Sequence, residues 1–426
     1  MVVCAISALA WLSPRVIVRQ HPYGRHRADR QAGSVVYADN DIAGIFATAP
    51  ETSLRQAGRW FISGDWIDVK GGGPFWRPLV SCWWWLEYRL FTTDFVLYNL
   101  ATVVLVAITC CLLAGAVAAL SRSLLLGAAA AGLLVWKFSG KLYGILFWFP
   151  AQTDVLAGLF LAGAFYLLVV GMSAEGRRRH ALLGGSLACY VGAVLTKESA
   201  LAFPLVAWAA FWLRLRRGGI PWMIAYGATG LFLLTARTLI LGGTGHFLVR
   251  LQPVHLLLRA AFQLLGVRLL HGPQWPPVGA AILALAVLIT AFRPSLARRR
   301  CVAYAMAVAT PALLVLAAHF TMGSAVGLLE LAAWKSLAAP LLLILGGAMV
   351  FRWRPVEGLV LACFLVAATA QLILVRDWVR PHYYFLPAMA WASLDAVALG
   401  AAWQHLKWLR RAEAAEPPAA GSVLHD

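Results

Sequence analysis

Charge is scarce in this sequence. Asp, Glu, Lys and Arg make up 13% of its 426 residues, against about 25% in an ordinary soluble domain. Acid is scarcer than base: 18 Asp plus Glu stand against 36 Lys plus Arg, a formal net charge of +18. Paired cysteines are missing too. None of the seven Cys forms a C-x-x-C pair and most sit inside apolar runs, which excludes a disulfide framework and zinc-type ligand spacing. What fills the space is apolar. Hydrophobic residues make up 61% of the chain and its mean hydropathy is +0.75. A soluble fold cannot hide that much apolar surface, so the sequence predicts an all-α integral membrane protein with the lipid bilayer as its solvent.

The basic residues do not form the single stripe a nucleic-acid interface would need, and no nucleic-acid partner is expected. They fall in short clusters between apolar runs: Arg177–His180, Arg214–Arg217, Ala297–Arg300, Phe351–Arg354 and Lys407–Arg411. That is the pattern of cytoplasmic loops in a multispanning protein. A span needs about 20 apolar residues. Clear runs cover 95–119, 142–171, 221–241, 301–320, 334–351, 356–376 and 383–404, with shorter ones at 123–138 and 277–292. The run 181–213 is too long for one crossing and holds Lys197 and Glu198 at its middle, where each charge would cost several kcal/mol in lipid. It is therefore split into two short helices with both charges at the turn.

A first span near the N-terminus and a surface-lying segment at 246–276, where His and Arg recur among leucines, complete a polytopic bundle of about 12 transmembrane helices with both termini inside. Residues 1–411 are expected to form this single domain, and 412–426 a disordered tail. Residues 19–93 become a long first extracytoplasmic loop. Its Trp-rich stretch around Trp83, Trp84 and Trp85 predicts an interfacial helix.

This threading sends the unusual polar residues to one side. Asp39 and Asp41 are either a base that activates a hydroxyl or the start of a helix at Ile42. Lys197 and Glu198 are either a solvated charged turn or a phosphate site. Arg380, His382 and Tyr383 are either an interfacial belt or part of a pocket. Trp148 and Asp154 raise the same question, with Asp154 early in a span and Pro150 expected to kink it. Arg77 precedes Pro78, and Arg237 inside 221–241 must face the bundle interior or snorkel outward. Such a cluster above an apolar body suits a phosphate-bearing lipid.

In order, "YADND", "FWRPL" (Phe75–Leu79), Asn99 in "FVLYNL", Trp148 and Asp154 in "FWFPAQTD", "LTKESALAFPL" and "VRPHYYFLP" resemble the GT-C class of polytopic membrane glycosyltransferases, in the branch of protein O-mannosyltransferase-like enzymes. Gln152 stands where that branch has Arg. The resemblance implies an inverting enzyme that takes a sugar from a polyprenyl-phosphate donor to a hydroxyl of a protein or glycolipid acceptor, outside the cytoplasm of a bacterial inner membrane. It implies Asp39 as base, with Asp41 second. Lys197, Arg380, His382 and Arg77 become donor-phosphate residues, and Glu198, Trp148, Asp154 and Tyr383 line the pocket. No metal ligand is assigned, and a divalent ion is possible but not favoured; the lipid-linked sugar is a co-substrate rather than a cofactor. The alternatives are a catalytically inactive member acting as a scaffold, and a transporter or flippase of polar lipids.

Overall fold

The computed structural model describes residues 40–63, 75–138, 149–214, 219–242, 349–350, 352–374 and 385–415. Among them every regular element is a helix. The chain divides into two compact units, Met1–Pro273 with Val360–Ser393, and Gln274–Leu359 with Leu394–Asp426.

In the first unit, α1 (Asn40–Thr48) and α2 (Leu54–Arg59) lead to α3 (Pro78–Phe91). Ser53 and Gln56 close a capping box at the start of α2, and Pro78 opens α3 at the position where a missing N–H costs nothing. Val80, Ser81, Trp84 and Glu87 form the buried stripe of α3, while Leu86 and Leu90 on its other side are exposed. A short helix with one face in protein and an apolar face outward fits the expected interfacial element.

The spans follow from unbroken apolar runs. Asp94 caps α4 (Phe95–Ser121) by accepting the Val96 N–H at 2.9 Å, and Arg122 in a left-handed conformation ends it. Val96, Leu100, Val104 and Ile108 recur every fourth residue on its exposed face, a continuous apolar stripe that water would not favour and lipid would. The helices α5 (Leu124–Phe138), α6 (Gln152–Ser173), α7 (Gly176–Thr196), α8 (Pro204–Arg214) and α9 (Ile220–Leu241) complete the packed set. The boundaries between the two units fall within α10 (Pro355–Leu374) and α11 (Phe385–Ala415). Among the described residues four helical segments are long and apolar enough to cross a membrane: Phe95–Ser121, Phe149–Ser173, Ile220–Leu241 and Phe385–Trp408. Shorter apolar helices occupy Leu124–Trp136, Glu198–Trp212 and Pro355–Ala368. The expected spans at 277–292, 301–320 and most of 334–351, and the segment 246–276, lie outside the described residues.

Two local expectations meet the structure here. Pro150 sits in a 3-10 turn, Phe149–Ala151, directly before α6; the ring bends the chain into the helix rather than within it. The run 181–213 does break at Lys197, where the backbone turns extended (φ −156°, ψ 131°) before a second 3-10 turn, Glu198–Ala202. The Tyr190 hydroxyl donates to the Leu201 carbonyl at 3.3 Å, so the turn folds back onto the last turns of α7. Rings of Tyr190, Phe203, Phe211 and Tyr226 fill the space between α7, α8 and α9.

Small residues set how closely the spans approach. Gly158 of α6 lies directly against the Phe385 ring and the Met389 sulfur of α11, with no room for a Cβ. Gly158→Val is expected to lower the thermal midpoint of the detergent-solubilised protein, with a cost of about 1–3 kcal/mol for overpacking. An unchanged midpoint in a light-scattering melt would show that this contact yields freely.

Candidate functional site

The residue before a proline is held away from helical geometry, and Arg77 obeys this with φ −135° and ψ 60°. Its guanidinium lies 4.2 Å from the centroid of the Phe75 ring. It meets Glu198 across 121 positions of sequence as a two-pronged fork: Nε donates to Oε2 at 2.9 Å and Nη2 to Oε1 at 2.6 Å. One residue earlier, Lys197 Nζ donates to Asp154 Oδ1 at 2.5 Å. Both pairs are buried. The side chains of Arg77 and Glu198 are 10% and 7% exposed, and those of Lys197 and Asp154 are 4% and 1% exposed.

The break after α7 makes this possible. Lys197 is the extended residue between α7 and the 3-10 turn that Glu198 begins, and from there Lys197 reaches the first turn of α6 while Glu198 reaches the entry to α3. Asp154 also sits where the positive end of the α6 dipole favours an anion. Arg237 of α9 is 3% exposed and within electrostatic reach of Glu198 and Arg77. The described part of the cluster thus holds three cations and two carboxylates. Of the two readings open for the Lys197–Glu198 turn, the solvated one does not hold: both residues are withdrawn from water. A buried ion pair is rarely the best way to stabilise a fold, and its occurrence at the ends of several helices makes the cluster the candidate site.

Beside it lies a second buried polar network, of which the sequence singles out Gln152 alone. Gln152, fully buried, directs its amide nitrogen toward Glu87 Oε1 at 3.0 Å, the Tyr98 carbonyl at 3.1 Å and Thr102 Oγ1 at 2.9 Å. Its amide oxygen accepts the Trp84 indole N–H at 3.1 Å. Glu87 was legible only as one acid in a Trp-rich helix. Burial pushes its carboxyl up to about 8, against a smaller opposing effect of the Gln152 hydrogen bond. Gln152 thus places a neutral amide against a carboxyl whose proton is held more tightly than usual.

This predicts a pH dependence with a definite sign. The folded Glu87 binds its proton more tightly than the ordinary value of 4.5. Its favourable contribution is therefore complete below about pH 4.5 and is lost as pH rises through about 8, on the order of a few kcal/mol at most. Thermal midpoints of the parent should fall between pH 5 and pH 9, and those of Glu87→Gln should fall less. Parallel curves would dissociate Glu87 from the effect.

The structure brings together Arg77, Asp154, Lys197 and Glu198, and adds Arg237. Asp41 lies in the first turn of α1. Phe46 seats that helix against the rings of Tyr88, Phe95, Tyr98 and Phe149, and Phe149 is in the turn that leads into α6 and Asp154. The Trp85 indole and Arg89 both donate to the Thr52 carbonyl at 2.9 Å, fastening the connection between α1 and α2 to α3. Asp39, Trp148, Arg380, His382 and Tyr383 lie outside the described residues. Among the described residues no group of three or more His, Cys, Asp or Glu side chains is placed to hold a metal ion.

No family model matches the chain, and neither does any curated protein or solved structure.

Proposed function

We propose that this chain is an inverting glycosyltransferase that moves a sugar from a polyprenyl-phosphate donor to an acceptor hydroxyl on the extracytoplasmic side of a bacterial inner membrane, within a bundle of about twelve spans. One observation carries this reading. Arg77, Asp154 and the Lys197–Glu198 pair come from three separate segments, "FWRPL", "FWFPAQTD" and "LTKES", and meet in one buried charge cluster. Each of these segments bears one of the motifs that resemble the GT-C class. Two further contacts support it. Phe46 fastens the helix that begins right after Asp39 against the entry to α6. Phe385, five residues past Arg380, packs on Gly158, one turn along from Asp154.

The chemistry asks little of the protein. Asp39 takes the proton of the acceptor hydroxyl, and the acceptor oxygen attacks the anomeric carbon from the face opposite the phosphate. The bond from that carbon to the phosphate oxygen breaks, and its electron pair leaves with the polyprenyl phosphate. The cations Arg77, Lys197 and Arg380, with His382 as a further hydrogen-bond donor, stabilise the charge developing there. Asp154 and Glu198 hold two of those cations in place, and Asp41, Trp148 and Tyr383 complete the pocket. The acceptor, a protein or glycolipid, approaches from outside the membrane.

A second reading is a catalytically inactive scaffold. It draws on the same cluster, because Arg77 and Lys197 each already face a carboxylate. One assay separates the two. The full-length chain, reconstituted in vesicles, is supplied with radiolabelled polyprenyl-phosphate sugars and membrane acceptors. Label transfer is the expected result. Its absence with every sugar tried would favour the scaffold.

A further inference from the structure

A second cationic feature lies in the other unit, far along the sequence from the residues above. The guanidinium of Arg352 lies 5.4 Å from the centroid of the Trp353 ring and 5.5 Å from that of Trp408. Both distances are within the range over which a ring face attracts a cation. His405 stacks on Trp408, with centroids 5.7 Å apart and planes at 22°, and also touches the Trp353 ring. On the adjacent face of α11, Lys407 stands 5.4 Å from the Trp403 centroid. The rings hold both cations in place without neutralising them. Among the described residues neither Arg352 nor Lys407 has a carboxylate partner, whereas neighbouring Arg354 is paired with Glu357 at 3.3 Å.

Position identifies what the pair of cations faces. The apolar segment of α11 ends at Trp408, and basic Arg410 and Arg411 follow. Trp and Arg at such an end stand at headgroup depth. Leu399 and Trp403, one turn apart on α11, are 55% and 53% exposed, an apolar track leading away from the cations along the helix. A phosphate beside the cations and hydrocarbon along that track describe one molecule.

We propose that Arg352 and Lys407, held by Trp353, Trp408 and Trp403, form a headgroup site for an anionic phospholipid, with an acyl chain lying along Leu399 and Trp403 of α11. This site is independent of the sugar-transfer reading and stands if that reading fails.

The test uses the purified full-length chain in neutral detergent. Native mass spectrometry follows lipid adducts during titration with phosphatidylglycerol or phosphatidylcholine, and a third arm uses inorganic phosphate. The parent is expected to prefer phosphatidylglycerol. Arg352→Gln with Lys407→Gln should reduce that preference by about 30-fold, the effect of two basic side chains at headgroup depth. Arg177→Gln with Arg178→Gln removes the same charge from the exposed start of α7 and should leave the preference unchanged. The proposal is overturned if the parent shows no preference, if the Arg352/Lys407 variant keeps it, or if the Arg177/Arg178 variant loses as much, since that would reduce the effect to general charge. Inorganic phosphate binding as tightly as phosphatidylglycerol would give the site to the free anion and overturn the lipid assignment. Should the double variant aggregate, Lys407→Gln alone, at an exposed position, is expected to lose about fivefold, and no loss overturns the proposal.

Discussion

Lys197→Met is expected to lower the stability of the detergent-solubilised protein by about 3–5 kcal/mol, the cost of leaving one member of a buried ion pair without its partner. Asp154 lies in the first turn of α6 and is 1% exposed, so water cannot take over the lost bond, and the carboxyl must either remain charged in a poor solvent or take up a proton. Asp154→Leu alone should cost a similar amount, because it strands Lys197 beside Arg77. The two changes together should cost clearly less than their sum, since two apolar side chains of similar size remove both charges at once. The measurement is a double-mutant cycle on thermal or denaturant unfolding. Additive losses would mean that the 2.5 Å contact contributes no coupling. The same cycle at Arg77 and Glu198 should give a coupling of the same sign, since that bridge is bidentate and such forks are the stronger kind.

Asp39→Asn carries the second large effect. If Asp39 takes the acceptor proton, the amide cannot, and sugar transfer should fall by about 10²–10⁴-fold. Thermal stability should stay unchanged, because a step confined to the transition state leaves the resting fold alone. Donor affinity, read from binding of the labelled lipid, should also be retained. Asp41→Asn should lose less. Full activity of Asp39→Asn would remove that residue from the mechanism. Equal losses for Asp39→Asn and Asp41→Asn would mean that the two act as a pair rather than as base and neighbour.

Much of the described fold was legible from neighbours in sequence. The span at 95–119 shows as an apolar run, and the helix extends two residues further, to Ser121, where Arg122 turns it off. The break at Lys197 could be located because two charges cannot sit at the middle of a crossing, and the chain does break there. Arg237 was expected to face inward or snorkel, and it is buried. The side chain of Trp84 was not placed by reading. A Trp cluster suggested headgroup contact, whereas Trp84 is 1% exposed and donates to Gln152 inside the unit. Trp suits both settings, with an apolar body and one N–H, so composition does not choose between them.

Glu87 shows the same limit more sharply. Nothing within one helical turn of it announces burial. Its environment is made by Gln152, which lies 65 positions away.

The sequence by itself therefore determined the apolar character, the helical class and the break at Lys197. Those outcomes depend on run length, periodicity, capping and the cost of charge in lipid, all of which act within about twenty residues. Only the tertiary structure decided which charges meet. Arg77 with Glu198 and Asp154 with Lys197 are pairings over 121 and 43 positions, and Gln152 with Glu87 is another. Which acid meets which base depends on how helices rotate and approach one another. That is set by the interlocking of many side chains such as Gly158 under Phe385, and no stretch of sequence encodes it alone.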